Sequence, residues 1–204
     1  MLTSSKIVED IEELCKAGLA LVLYFYFDFN DTDKQSRRAL LSSFLDQLSA
    51  RSDPYCDILN NLYLHYDRGA RQPNDECLMQ CLNEMLNIPG QIPVYMIIDA
   101  LDECPNKLGM PSQREEVLAT IKDLVSLNLR SLRICVTSRP EVDIRSALEL
   151  KASHSVCLHD EDGQKQDIIN YIRYVVHNDN RMRSWRDEDR KYVIKTLSEQ
   201  AHGM

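Results

Sequence analysis

Glycine is scarce in this chain: the 204 residues hold only Gly18, Gly69, Gly90, Gly109, Gly163 and Gly203, spaced too widely to form a glycine-rich loop. Composition therefore excludes a backbone cradle of the kind that binds phosphate in many nucleotide-binding proteins. The seven cysteines are odd in number and contain no CxxC pair, so they do not make a disulfide framework, and a reduced interior is expected. Long apolar runs are also missing. The longest, Leu19 to Phe27, is about half the ~20 residues that a membrane span needs. Lys6, Glu9, Asp10, Glu12 and Glu13 crowd the first turns where a secretory signal would be apolar. An excess of positive charge is absent too: 24 basic against 32 acidic side chains leave a net charge of −8. That balance argues against a broad surface for nucleic acid or anionic lipid, and the expected location is the cytoplasm.

What the chain has is a core. It is 44% apolar and 27% charged, the composition of a globular domain. Helical spacing of apolar residues predicts helices over Thr3–Lys16, Lys34–Ala50, Tyr55–Tyr66, Glu76–Leu86, Arg114–Leu127, Val142–Leu148, Lys165–Val176 and Asp187–Gln200. Between them lie continuous apolar stretches, Leu19–Phe29, Pro93–Ile98, Leu132–Val136 and Ser155–Leu158. Continuous rather than alternating runs read as strands covered on both faces, and strands alternating with helices imply a parallel sheet between helical layers. The aromatic run Tyr24–Phe27 is expected to fill the core. The polar stretch His177–Asn180 is expected to mark the edge of this α/β region.

In such a sheet, ligands bind beyond the carboxyl ends of the strands. Two ends carry suitable chemistry. The strand Val94–Ile98 runs into Asp99, Asp102 and Glu103. A carboxylate fixed there can hold a magnesium ion, and a second can orient a water molecule. The alternative is a plain acidic turn. The strand Leu132–Val136 runs into Thr137-Ser138-Arg139-Pro140, which can aim a guanidinium at a phosphate oxygen. Its alternative is an arginine that neutralises Asp99, Asp102 or Glu103. Both ends together point to a nucleoside-triphosphate site. Elsewhere the signals are weak. The five histidines form no HxxxH or HExxH pattern, Ser4 and Ser5 lack a GxSxG setting, and Arg181–Lys191 is interrupted by Asp187, Glu188 and Asp189. Cys77 and Cys81 are four apart on a helix but have no second ligand pair nearby.

The blocks LALVLYFYFDFND, VYMIIDALDEC, RICVTSRPE and DIINYIRYVV, taken in this order, resemble a NACHT-type nucleotide-binding domain of the signalling P-loop NTPases. The likeness is greatest to the fungal and nephrocystin-like branch. It implies a three-layer P-loop NTPase core over residues 1–178, followed at 179–204 by the start of a helical segment. By the same resemblance Asp99 matches the Walker B aspartate that holds magnesium, and Asp102 and Glu103 match the acidic pair tied to water activation or magnesium coordination. Arg139 matches the arginine that reads the terminal phosphate, and Ala100 falls where the family takes a small residue. The implied cofactor is Mg2+ with ATP or GTP. The implied context is a multidomain innate-immunity-like receptor with an N-terminal effector domain, ankyrin, WD40 or tetratricopeptide repeats, and self-assembly into oligomers.

One part of the family pattern is missing. Met1–Ser5 stand where GxxxxGK[ST] should lead into the first helix, and the strand before that loop is missing as well. In the family that strand lies between the Arg139 strand and the one expected at Ser155–Leu158. The expectation is therefore a partial switch domain that binds nucleotide weakly or not at all alone. The alternative is a non-catalytic interaction fragment of such a receptor. A metal-dependent phosphohydrolase using Asp99, Asp102 and Glu103 without a phosphate loop is a third reading.

Overall fold

A computed structural model describes residue 9 and residues 11–106, 111–156, 162–182 and 185–200. They fall into two compact units, residues 1–152 and 153–204. In the first, residues 11–16 form helix α1. It stops at Gly18, whose φ of +69° is the left-handed conformation that closes a helix without a Cβ penalty. The Leu19 N–H returns to the Leu14 carbonyl at 2.9 Å, and the chain enters strand β1, Leu21–Tyr26.

Three of the later helices, α2, α4 and α5, begin with a side-chain cap. Ser36 accepts the Ala39 N–H at the start of α2, Arg37–Ser49. Helix α3, Asp53–His65, begins with a proline in its first turn. Asn74 caps α4, Asp75–Leu86, by accepting the Cys77 N–H. Strand β2, Val94–Asp99, is followed by the 3-10 turn Leu101–Glu103 and, further along the chain, by α5, Gln113–Ser126, which opens with a reciprocal Ser112–Glu115 capping box. Strand β3, Leu132–Val136, and helix α6, Val142–Leu148, follow.

The three strands are parallel, in the order β1-β2-β3, with Tyr24 beside Ile97 and Ile97 beside Cys135. One face carries Leu23, Phe25, Val94, Met96 and Ile98, which pack on Leu40, Leu41, Phe44 and Leu48 of α2, Leu82 and Met85 of α4, and Val117 and Ile121 of α5. Burying each such side chain contributes about 1.5–3 kcal/mol, so this face holds most of the stabilisation. On the opposite face the buried apolar residues among those described are Val22 and Ile97, packed against Ile11 and Cys15 of α1 with Cys135 alongside. Among the described residues, the coverage expected on both faces from the apolar runs is unequal. The run Tyr24–Phe27 splits by the two-residue period of a strand: Phe25 and Phe27 enter the core, whereas Tyr24 is 42% exposed. On the outer edge of β1, the Gln47 side chain of α2 pairs with both backbone groups of Tyr24, accepting its N–H at 3.0 Å and donating to its carbonyl at 2.8 Å.

In the second unit, α7, Asp162–Asn178, packs against α8, Asp187–Gln200. The strand expected at Ser155–Leu158 is not seen in its describable half. Ser155 and Val156 have no ladder partner and Val156 is 69% exposed, while 157 and 158 lie outside the described residues. So short an apolar run needs a neighbouring strand to hold it extended. No helix among the described residues is long and apolar enough to cross a membrane.

Candidate functional site

Strand β2 delivers Asp99 to the carboxyl edge of the sheet, level with Tyr26 of β1. Its side chain lies on the less covered face, yet the residue is only 6% exposed. The Thr137 hydroxyl, just past β3, donates to the Asp99 carboxylate and accepts the Ala100 N–H at 3.2 Å. The Thr137 backbone joins as well, its N–H donating to the Ile98 carbonyl at 2.9 Å and its carbonyl accepting the Leu101 N–H at 3.0 Å. Ala100 is held at φ 54° and ψ 45°, a left-handed conformation that a residue with a Cβ adopts at a cost of about 1 kcal/mol. This kink turns the chain out of the sheet into the single 3-10 turn Leu101–Glu103.

That turn points its two carboxylates at different neighbours. The Asp102 carboxylate accepts the Arg139 N–H at 2.9 Å and faces the Arg139 Nε at 3.4 Å. The Glu103 carboxylate accepts the Phe29 N–H at 3.1 Å, tying the turn to the loop after β1. Asp102, Glu103 and Arg139 line one cavity of about 500 Å³ together with Phe29, Gln35, Cys104, Pro105 and Arg114. Asp99 is not in that lining. Of the residues singled out from sequence, the structure thus gathers Asp102, Glu103 and Arg139 around the cavity, and leaves Asp99 outside its lining, bonded to Thr137. Among the described residues no group of three or more His, Cys, Asp or Glu is arranged to hold a metal ion.

Two residues of the site carry no sequence signal. Thr137 enters the sequence only as one residue of the Thr137-Ser138-Arg139-Pro140 segment, with nothing to mark its bond to Asp99. Arg114, second in α5, looks like an ordinary polar residue of a helix start, yet its side chain is only 9% exposed. It donates to the carbonyls of Cys104 at 2.9 Å and Asp102 at 2.6 Å, and pairs with Asp143 of α6 at 3.2 Å.

Electrostatics follow burial. Desolvation, with a further push from the Asp99 charge, raises the Tyr26 phenol and the Cys135 thiol above their ordinary values. Burial pushes the Cys104 thiol up to about 12 although the Arg114 charge pulls the other way, so it is not a nucleophile at neutral pH. Cys77, considered from spacing as half of a thiol pair, instead accepts the Tyr66 hydroxyl at 3.0 Å while Cys81 is buried.

A parallel α/β sheet with an acidic turn beyond its middle strand, crossed by an arginine from the next strand, defines a layout compatible with the P-loop class. More narrowly, the chain belongs to the nephrocystin 3 N-terminal family, whose sequence profile matches residues 2–139. No curated protein and no solved structure matches the chain.

Proposed function

We propose that the first unit is the Walker B and sensor half of a nucleotide-binding switch domain, working within a larger NACHT-like signalling receptor. The observation that carries this reading is the meeting of Asp102 and Arg139 from adjacent strand ends over one cavity, with Asp99 held by Thr137 at the end of the same strand β2. Parallel sheets bind their ligands at this edge.

The residues suit magnesium with a nucleoside triphosphate. Magnesium is held in such sites by one or two carboxylates, with water and phosphate oxygens completing the shell. Asp99 offers a carboxylate and Thr137 orients it. Bound magnesium supplies charge neutralisation on the phosphates. In this reading Asp99 holds the ion, Asp102 or Glu103 directs the attacking water, and Arg139 takes the terminal phosphate, exchanging its carboxylate partner for an anionic ligand. The donors that grip the phosphates, GxxxxGK[ST] and its strand, do not occur among the 204 residues. The proposal places them in a segment that pairs along β3. Nucleotide state would then set self-assembly and relay a signal to effector and repeat domains.

The test has two arms. The chain alone, titrated with labelled ATP or GTP and magnesium, should show weak or no binding. Fusion of a family-type strand and phosphate loop ahead of it should bring binding, lost again in Asp99→Asn with the fold intact. Micromolar affinity in the chain alone, or no binding after fusion, overturns the proposal. A second reading, a non-catalytic interaction fragment, is favoured by one observation: all three carboxylates already have partners within the chain, Thr137, Arg139 and Phe29. Failure of the fused protein to bind nucleotide, with co-purification of a full-length relative, supports it.

A further inference from the structure

We propose that Arg114 is the positioning residue of the acidic turn. Its guanidinium grips the turn from beneath and thereby sets where the Asp102 and Glu103 carboxylates stand. What those carboxylates are for rests on the function proposed above; that Arg114 positions them does not.

Leu101–Glu103 is a single 3-10 turn, too short to hold its own shape, and it follows a left-handed alanine. Its own backbone bonds are few: the Glu103 N–H to the Ala100 carbonyl at 2.9 Å and the Cys104 N–H to the Leu101 carbonyl at 3.1 Å. Arg114 adds two bonds from a rigid fork, Nη2 to the Asp102 carbonyl at 2.6 Å and Nε to the Cys104 carbonyl at 2.9 Å. Those carbonyls belong to the 102–103 and 104–105 peptide groups, so the fork holds the peptide plane that joins Asp102 to Glu103 and the one that leaves Cys104, pinning the turn at two points of its backbone. The fork is aimed in turn. Nη1 faces both Asp143 oxygens, at 3.2 and 3.4 Å, and Asn106 donates to the same carboxylate at 3.0 Å. Asp143 stands on α6, which begins just after the Arg139-Pro140 segment. The cation thus joins the turn after β2 to the helix after β3.

A buried guanidinium carries a heavy desolvation cost, and an apolar side chain would pack the same space more cheaply. Retention of arginine here is explained by geometry. Lysine carries the same charge but has no planar fork, so it cannot serve two carbonyls and a carboxylate together. The position therefore separates charge from positioning.

Two distant amides report the outcome. Phe29 and Arg139 are exposed residues whose N–H groups donate to Glu103 and Asp102 respectively. Their protection from hydrogen exchange depends on where the carboxylates stand. The experiment is amide exchange followed by NMR on the 204-residue chain, without metal or nucleotide. In Arg114→Lys, exchange at Phe29 and Arg139 should rise roughly tenfold or more while the β2 amides keep their protection. Asp143→Asn, which loosens the fork but leaves its two carbonyl bonds, should raise both rates by a smaller factor. It decides the matter if Arg114→Lys does not fold. Unchanged rates at Phe29 and Arg139 in a folded variant overturn the proposal, because charge alone would then suffice. So does a uniform loss of protection across β2, which would make Arg114 only a general stabiliser. A failure of nucleotide binding leaves these exchange results untouched, so the two proposals fail separately.

Discussion

Replacing Thr137 by valine removes one hydroxyl and keeps the shape, which makes it a direct probe of how Asp99 is held. The hydroxyl makes two bonds, one to the Asp99 carboxylate and one from the Ala100 N–H. A hydrogen bond to a charged group contributes about 1.5–3 kcal/mol and a neutral one about 1 kcal/mol, so the two together contribute about 2.5–4 kcal/mol. Asp99 is only 6% exposed, and water cannot readily replace the missing donor. For a unit of this size that loss lowers Tm by roughly 5–15 °C. Urea denaturation should show a lower midpoint at an unchanged slope. Thr137→Ser, which keeps the hydroxyl, should lose only about 1 kcal/mol, for the missing methyl group. A double-mutant cycle with Asp99→Ala should give a coupling of about 1.5–3 kcal/mol, because each single change removes the same bond. The reasoning is refuted if Thr137→Val costs less than about 0.5 kcal/mol, or if the two changes simply add.

Ala100 at φ 54° predicts opposite signs for two small changes. Ala100→Gly should be neutral or stabilising by up to about 1 kcal/mol, whereas the β-branched Ala100→Val should destabilise by more than about 1 kcal/mol, both read by thermal melts. Burial raises the Cys81 thiol to about 11 and the Cys104 thiol to about 12 from an ordinary value of 9.0. A thiol whose folded pKa is raised favours the fold fully below pH 9 and loses that contribution as pH climbs toward the folded value. Stability should therefore fall between about pH 9 and 11 by up to about 1.4 kcal/mol per pH unit for each thiol, and less steeply in Cys104→Val, as measured by urea midpoints across pH. At pH 8 a thiol reagent should label the exposed Cys56 and spare both buried thiols until the chain unfolds.

The elements legible in the sequence were those whose signal is local. Strand β3 and helices α6 and α8 lie over the residues predicted, because a short apolar run between turn residues, or a helical stripe, needs no partner to be read. Coverage of the sheet was not legible, since an apolar residue in a strand does not say how much helix lies above it. Tyr24 and Tyr26 count as apolar in a run but sit on the thinly covered face. In the expected strand Ser155–Leu158, the describable residues Ser155 and Val156 are unpaired, because a strand is a property of its pairing and neither residue implies a neighbour. At the site, Asp99, Asp102, Glu103 and Arg139 were legible from their places at strand ends. The pairing of Arg139 with Asp102 was one of two open alternatives, and only the register of β2 against β3 decides it. Arg114 was invisible, because an arginine in a first helical turn ordinarily faces water.

The Gln47 clip on Tyr24 gives the sheet a direction of growth. A free strand edge accepts any extended chain, but here one amide side chain satisfies the outward N–H and C=O of Tyr24 and presents them to nothing else. The β1 border is pinned at Tyr24, like a cloth held by one stitch. Among the described residues β3 pairs only with β2, so its far border is open to a further strand. Polypeptide that extends this sheet along β3, from this chain or another, lies next to Arg139, so growth at that edge reaches the residues that carry the chemistry.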